Sequence, residues 1–307
     1  MFGSELSSPY DDPVWHPSGG IIGFNHRPIK EIRYIDGYDC PHQASYIFEN
    51  DSIGFWLINA DGTNQRRVLP YMLDSPAWSP DGNWIAFSYG AQICIMPFDG
   101  EQFDTAAIIQ LTFEGRNFFP SWCPDGELIA FNESVCNGPI ACGIWIYNIS
   151  SKQQELVNLY GNYPNWHPFR DSLIFRTNAL DNKGFDIGDS LWIYNSASGT
   201  KHFFKFISQP NYDNRYLRYS PNGEFIAFVS VLSNGSGMQL FVIKDDGSGL
   251  KQLSTDGCES YSWSPEGEIV YLNFDGSRID DTKGTLWIMD SEGNNKHQLT
   301  RNIFKLI

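Results

Sequence analysis

No run of about 18 apolar residues occurs in these 307 residues, so no membrane-spanning helix is expected. Positive charge is also scarce: 21 Lys and Arg stand against 36 Asp and Glu, a net charge of −15. Nucleic acid and anionic membrane surfaces both need a basic face, so neither is an expected partner. An acidic surface aids solubility and admits a cationic partner or a metal ion. Met1 to Tyr10 has no basic start and no apolar run, and does not read as a signal peptide. There is no C-x-x-C, H-E-x-x-H or G-x-S-x-G, and no EF-hand spacing. These absences remove the zinc-ribbon, zincin, α/β-hydrolase and EF-hand readings. No segment carries the apolar period of an amphipathic helix.

What is present is a phrase that returns six times: Trp15 to Gly19, Trp78 to Gly82, Trp122 to Gly126, Trp166 to Arg170, Tyr219 to Gly223 and Trp263 to Gly267. The spacings are 63, 44, 44, 53 and 44 residues. A period in the forties with strands as the repeated unit is the signature of a β-propeller. In the second repeat Ser79-Pro80-Asp81-Gly82 is a turn, with proline setting φ and glycine closing it. Strands are expected at 75–79, 84–88, 93–96 and 108–112. Four antiparallel strands make one blade. The expected fold is all-β, a six-bladed propeller over a single domain 1–307, with approximate blades 9–70, 71–113, 114–158, 159–208, 209–255 and 256–307. Each blade is continuous in sequence, so no strand is swapped between the termini. The repeated aromatic is expected to wedge one blade against the next. A long insertion, about 27–52, separates the second and third strands of blade 1. The apolar tail 303–307 is expected to pair at the outer edge of a terminal blade or pack beneath it.

W-S-P-D-G followed by I-A-F, an I-W-x-M-D-like strand, a D-G turn and Q-L-T resembles the PD40, or TolB-like, WD40-like propeller repeat. The match is specific in repeats two, three, five and six. In the fourth, Phe169-Arg170 replaces the acidic-Gly pair. The resemblance implies the six-bladed fold. TolB is a periplasmic propeller that binds protein partners; similar propellers precede the catalytic domain of serine peptidases. A related oligogalacturonate lyase holds a metal with His and Gln. The sequence shows no nucleophile elbow and no counterpart of TolB's N-terminal α/β domain. The reading is therefore a non-enzymatic, monomeric binding or scaffold propeller that presents its channel mouth and long loops to a protein or peptide. The alternative is a carbohydrate-active enzyme or sugar binder acting at the same mouth, with an oligosaccharide ligand. The resemblance implies a periplasmic or extracellular location; a cytoplasmic one stays open.

The repeat register points to the mouth. Four residues before each anchor stand Asp11, Asp74, Phe118, Asn162, Arg215 and Glu259. Five of the six are polar, which reads either as a polar funnel for a cation, peptide terminus or sugar, or as a solvated rim. The long loops on that face carry Asp36, Tyr38, Asp39, His42 and Gln43 in blade 1; Asp181, Asp186 and Asp189 in blade 4; and Asp275, Arg278, Asp280 and Asp281 in blade 6. Oxygen-rich loops of this kind admit calcium or another divalent cation, and no motif demands a cofactor. His16 and His167 occupy a slot filled elsewhere by Ser or Cys and read as turn residues. His26 and His42 form the one pair to weigh as ligands or as an acid–base couple. Cys94 and Cys123 read as buried strand thiols. Cys136 and Cys142 are spaced for a local disulfide in an oxidising compartment, and a Cys40–Cys258 bridge would staple blades 1 and 6.

Overall fold

The recurrent turn works through its own side chains. In repeat two the Ser79 hydroxyl donates to Asp81 Oδ1 at 2.6 Å and accepts from Trp84 N at 3.0 Å, while Asn83 N donates to the same carboxylate. Gly82 closes the turn at φ +73, a left-handed conformation that favours glycine. Ser220 and Asn222 repeat the pattern in blade 5. Cys123 takes the serine's place in blade 3, donating to Asp125 and accepting from Leu128 N. It lies just after a strand rather than inside one, a correction to the sequence expectation. In the two histidine repeats Nδ1 does the accepting, from Ser18 N at 3.1 Å and Phe169 N at 3.1 Å. His16 and His167 are thus turn residues.

The computed structural model describes residues 8–34, 44–183, 186–207, 214–232, 237–276 and 279–306. Six four-stranded antiparallel sheets follow one another along the chain, giving the six-bladed propeller. Blade 1 comprises Tyr10–Trp15, Ile21–His26, Gly54–Asn59 and Arg66–Leu69. Blade 2 comprises Asp74–Trp78, Trp84–Tyr89, Gln92–Pro97 and Ile109–Gln110; blade 3, Asn117–Trp122, Leu128–Glu133, Gly143–Asn148 and Gln153–Leu159. Blade 4 comprises Gly161–Trp166, Ser172–Leu180, Asp186–Asn195 and Thr200–Ile207; blade 5, Arg215–Tyr219, Phe225–Val231, Met238–Lys244 and Lys251–Gln252. Blade 6 comprises Tyr261–Trp263, Ile269–Asn273, Thr285–Met289 and His297–Gln298. The chain divides into two compact units: Met1–Met72 with Ser236–Gln239 and Leu253–Ile307, and Leu73–Gly235 with Leu240–Gln252. The first holds blades 1 and 6, the second blades 2 to 4 and most of blade 5.

Sheets with two apolar faces must be covered on both, and the anchor aromatics do part of this. In the second unit Trp166 packs with Ala130 and Ile146 of blade 3 and with Leu173 and Phe175 of its own blade. In the first, Trp15 shares a core with Val270 and Leu272 of blade 6. Polar staples run beside the wedges. Trp166 N donates to Ser121 Oγ, Tyr219 N to Asn165 Oδ1, and Trp15 N to Ser262 Oγ. In each case the residue just before one anchor holds the backbone of the next anchor around.

The blade 1 insertion forms a hairpin, Ile29–Tyr34 with Ala44–Phe48. The tail strand Lys305–Leu306 pairs in parallel with its first strand. The tail therefore neither edges a blade nor merely packs beneath one. The hairpin's open edge takes it, and Phe304 packs on the core that Ile29 and Ile32 join. Cys136 and Cys142 are disulfide-bonded. Cys258 is a free, fully buried thiol, so the Cys40–Cys258 staple is not formed; Cys40 lies outside the described residues.

Trp166→Ala removes a wedge that is 5% exposed and should lower the unfolding free energy by about 3–5 kcal/mol in denaturant titrations. A loss below about 1 kcal/mol would show that the indole is not what holds blades 3 and 4 together.

Candidate binding site on the inner strands

The innermost strands are not regular. Register shifts fall between Asp74 and Ala77, Phe118 and Ser121, Asn162 and Asn165, and Arg215 and Arg218 in the second unit, and between Asp11 and Val14 in the first. Inside each shift one residue sits in the left-handed region: Ser75 (φ +54), Phe119 (+56), Tyr163 (+54), Tyr216 (+57) and Asp12 (+46). Each is three positions before its anchor. Bulges of this kind re-aim a side chain, and a bulky residue at positive φ is a strained conformation that surrounding structure must enforce. Blade 6 lacks the bulge; Tyr261 pairs directly with Tyr271.

The consequence is a cluster in the second unit. Phe119, Tyr163 and Tyr216, from three consecutive blades, meet with ring centroids 4.6, 5.7 and 5.5 Å apart. All three are half-buried. The Arg176 guanidinium lies 5.4 Å from the Tyr163 ring centre. Behind it Arg176 pairs with Asp189, whose other oxygen accepts from Asn214 N at 3.0 Å and Asn214 Nδ2 at 2.6 Å. Asp189 is 1% exposed, and desolvation raises its carboxyl above the usual range despite the Arg176 charge. The aromatic cluster thus rests on a buried, hydrogen-bonded ion pair. Asp189 was expected in an open acidic loop. It is instead paired opposite Asn178 inside a long hairpin.

The expected site residues sit immediately before the bulges. Asp74 is exposed, accepts from Ser75 Oγ at 2.9 Å, and has its carboxyl raised by desolvation. Asn162 and Arg215 are half-buried at the equivalent places in blades 4 and 5. In the first unit Asp11 accepts from Ser260 Oγ at 3.1 Å, next to half-buried Glu259. Asp39 and His42, with Asp36, Tyr38, Gln43 and Arg278, lie outside the described residues, and Asp186 is described in its backbone only. Asp181 and Asp280 bind the backbone of their own loops, and Asp275 pairs with Lys283. Among the described residues no three His, Cys, Asp or Glu side chains converge to hold a metal.

The aromatic trio stands three residues before the anchors, one position after the polar set that the repeat register singles out. The sequence did carry a signal. Pro13, Pro76, Pro120 and Pro164 each stand two before their anchor. Proline cannot donate to a ladder and is confined to sheet edges, strand starts and bulges, and its return at the same place in four inner strands fits a repeated bulge there.

A family profile described as PD40, the TolB beta propeller domain, matches residues 44–306. The chain belongs to this family. A search of curated proteins finds no match. Among solved structures, this TolB-type propeller is similar to TolB from Acinetobacter baumannii, with TM-score 0.63 and 21% identity over 92% of this chain and 63% of that one. It is also similar to a chain assigned as a TolB from Agrobacterium tumefaciens, with TM-score 0.60 and 21% identity over 78% and 84%. An oligogalacturonate lyase in complex with manganese aligns with TM-score 0.56 and 10% identity over 94% and 76%. Likeness at these identities concerns the fold.

His26 answers to packing. It is stacked on Tyr10 at 4.1 Å, and its Nδ1 lies 2.8 Å from the Pro9 carbonyl, which can only accept; Nδ1 therefore carries the proton. Burial lowers its pKa from 6.5 to about 4. Between those values the unfolded chain binds a proton that the fold does not, so stability falls as pH drops through that window. The loss should reach roughly 3 kcal/mol and level off below about pH 4. In melts across this range, His26→Phe should flatten the pH dependence relative to wild type; parallel curves would show that His26 does not titrate this way.

Proposed function

We propose that the chain is a binding propeller whose inner-strand face in blades 2 to 5 receives a protein or peptide. The observation that carries this reading is the convergence of Phe119, Tyr163 and Tyr216, each held at positive φ. Strain maintained at three adjacent bulky positions has no packing rationale that a smaller residue would not serve better. It is reasonable where the rings meet a partner, because half-buried aromatics anchor interfaces. Asp74, Asn162 and Arg215 would form the polar rim beside them, with Asp11 and Glu259 in the corresponding role on blades 1 and 6. The net charge of −15 favours a cationic partner. The reading treats 1–307 as one monomeric domain. The Cys136–Cys142 disulfide supports the periplasmic or extracellular placement implied by the family.

Tyr216→p-benzoylphenylalanine should photo-cross-link a protein from the native compartment. The same group at Ile303, which is 90% exposed, should not capture it. With the cross-linker kept at 216, Phe119→Asn and Tyr163→Asn should weaken capture about tenfold or more. Because asparagine tolerates positive φ, they should leave the melting midpoint within about 4 °C of wild type. Equal capture at 216 and 303, or full capture by the Asn variants, would overturn the placement.

A further inference from the structure

Away from the aromatic trio, a cavity of about 670 Å³ opens between blades 3 and 4, entirely within the second unit. That is the size of a ligand site rather than of a packing defect. Its walls have a distinct chemistry. Tyr160, in the link between the blades, is 65% exposed and held at φ +60, its N–H donating to Cys142 O at 3.2 Å. The Cys136–Cys142 disulfide braces the wall on that side. Leu159 and Leu180, 50% and 60% exposed, add apolar surface.

Asn158, Asn162, Asn178 and Thr177 line the same space. An amide donates and accepts at once, and so does a hydroxyl. The Asn162 side chain makes no hydrogen bond to a described residue. Thr177 Oγ1 accepts from Trp192 Nε1 at 3.2 Å, which leaves its own proton to donate. Formal charge is nearly absent. Both oxygens of buried Glu133 are taken by backbone N–H groups, from Arg116 and Val135, and Lys201 donates to Asn158.

We infer that this cavity binds an uncharged oligosaccharide. The exposed, backbone-fixed Tyr160 ring offers a flat apolar face to the C–H side of a pyranose. Asn158 is engaged within the wall, its Nδ2 donating to Leu159 O and its Oδ1 accepting from Lys201, so Asn162 and Thr177 offer the mixed donors and acceptors that sugar hydroxyls require. Leu159 and Leu180 accommodate ring C–H groups or an N-acetyl methyl. An ionic ligand would find one ammonium already engaged and no accessible carboxylate.

The test titrates the intact chain with hexasaccharides of glucose, mannose and N-acetylglucosamine, followed by calorimetry and amide chemical shifts. At least one should bind, with shifts centred on Asn158 to Asn162 and Thr177 to Leu180. Tyr160→Asn suits the left-handed backbone and should keep the fold while weakening binding about tenfold; Tyr160→Phe should keep binding within about threefold. Tyr216→Asn, at the inner-strand cluster, should bind the sugar as wild type does, which separates this site from the protein-docking reading. Three results would overturn the inference: no binding by any of the sugars at millimolar concentration, binding indifferent to Tyr160→Asn, or shifts at these residues produced by an apolar decapeptide and by no sugar.

Discussion

Every blade presents two apolar faces to its neighbours, and the fold depends on covering both. The anchor aromatic does this with help from the turn that follows it. The W-x-P-x-G phrase reverses the chain within a few residues, which lets the second strand return beside the first while the indole stays against the preceding blade. The contact between Trp166 and Ala130 in blade 3 is of this kind. The hydrogen bonds from one anchor's backbone to the residue before the previous anchor fix how far each inner strand slides past the next. Packing and polar geometry therefore agree at the same position, the kind of consistency that marks a well-specified fold.

That same arrangement frees the inner strand's other end. Its closing half is committed to the wedge and staple; its opening half is interrupted by the bulge. A proline two before the anchor withholds one ladder donor, and the residue ahead of it swings to positive φ. Blade 5 makes the bulge with Leu217 in the proline's place, so proline favours the distortion without being required for it. Blade 6 has neither proline nor bulge; there Tyr261 takes the proline's slot and Ser260 the position before it, and both are buried. At the bulged position blade 2 has buried Ser75, whereas in blades 3 to 5 that position is a half-buried aromatic.

Repetition made the fold legible, because turn chemistry is local and returns six times. What the repeat does not contain was harder to read. The pairing partner of the tail depended on a hairpin whose edge only the folded chain reveals. Asp189 reads from the sequence as a loop acid, because blade 4 strands of ordinary length would leave it in the connection between them. They run for 9 and 10 residues, which carries Asp189 into the sheet beside Arg176. The polar residues four before each anchor, read from the register as a funnel or a solvated rim, lie at the starts of the inner strands in blades 1, 2, 4 and 5, and Glu259 lies just ahead of the blade 6 strand. The aromatic trio depended on a backbone distortion that proline marks in blades 3 and 4 and that Leu217 leaves unmarked in blade 5.

Departures from the repeat gather in blades 3 and 4. Their outer strands are 7 and 8 residues long, against 2 in blades 2, 5 and 6. Long exposed edges invite pairing with other chains, and natural sheets blunt them with charge. Glu155 on one and Lys201 and Lys205 on the other fit that role. Blade 3 also carries the disulfide, and blade 4 replaces the turn glycine with Arg170, which reaches Asp245 of blade 5 at 2.6 Å. A repeat protein spends its recurrent residues on stacking, so the residues that differ from one repeat to the next are the ones available for recognition. The inner aromatics, the buried ion pair and the amide-lined cavity all draw on such residues, and blade 4 contributes to each of them.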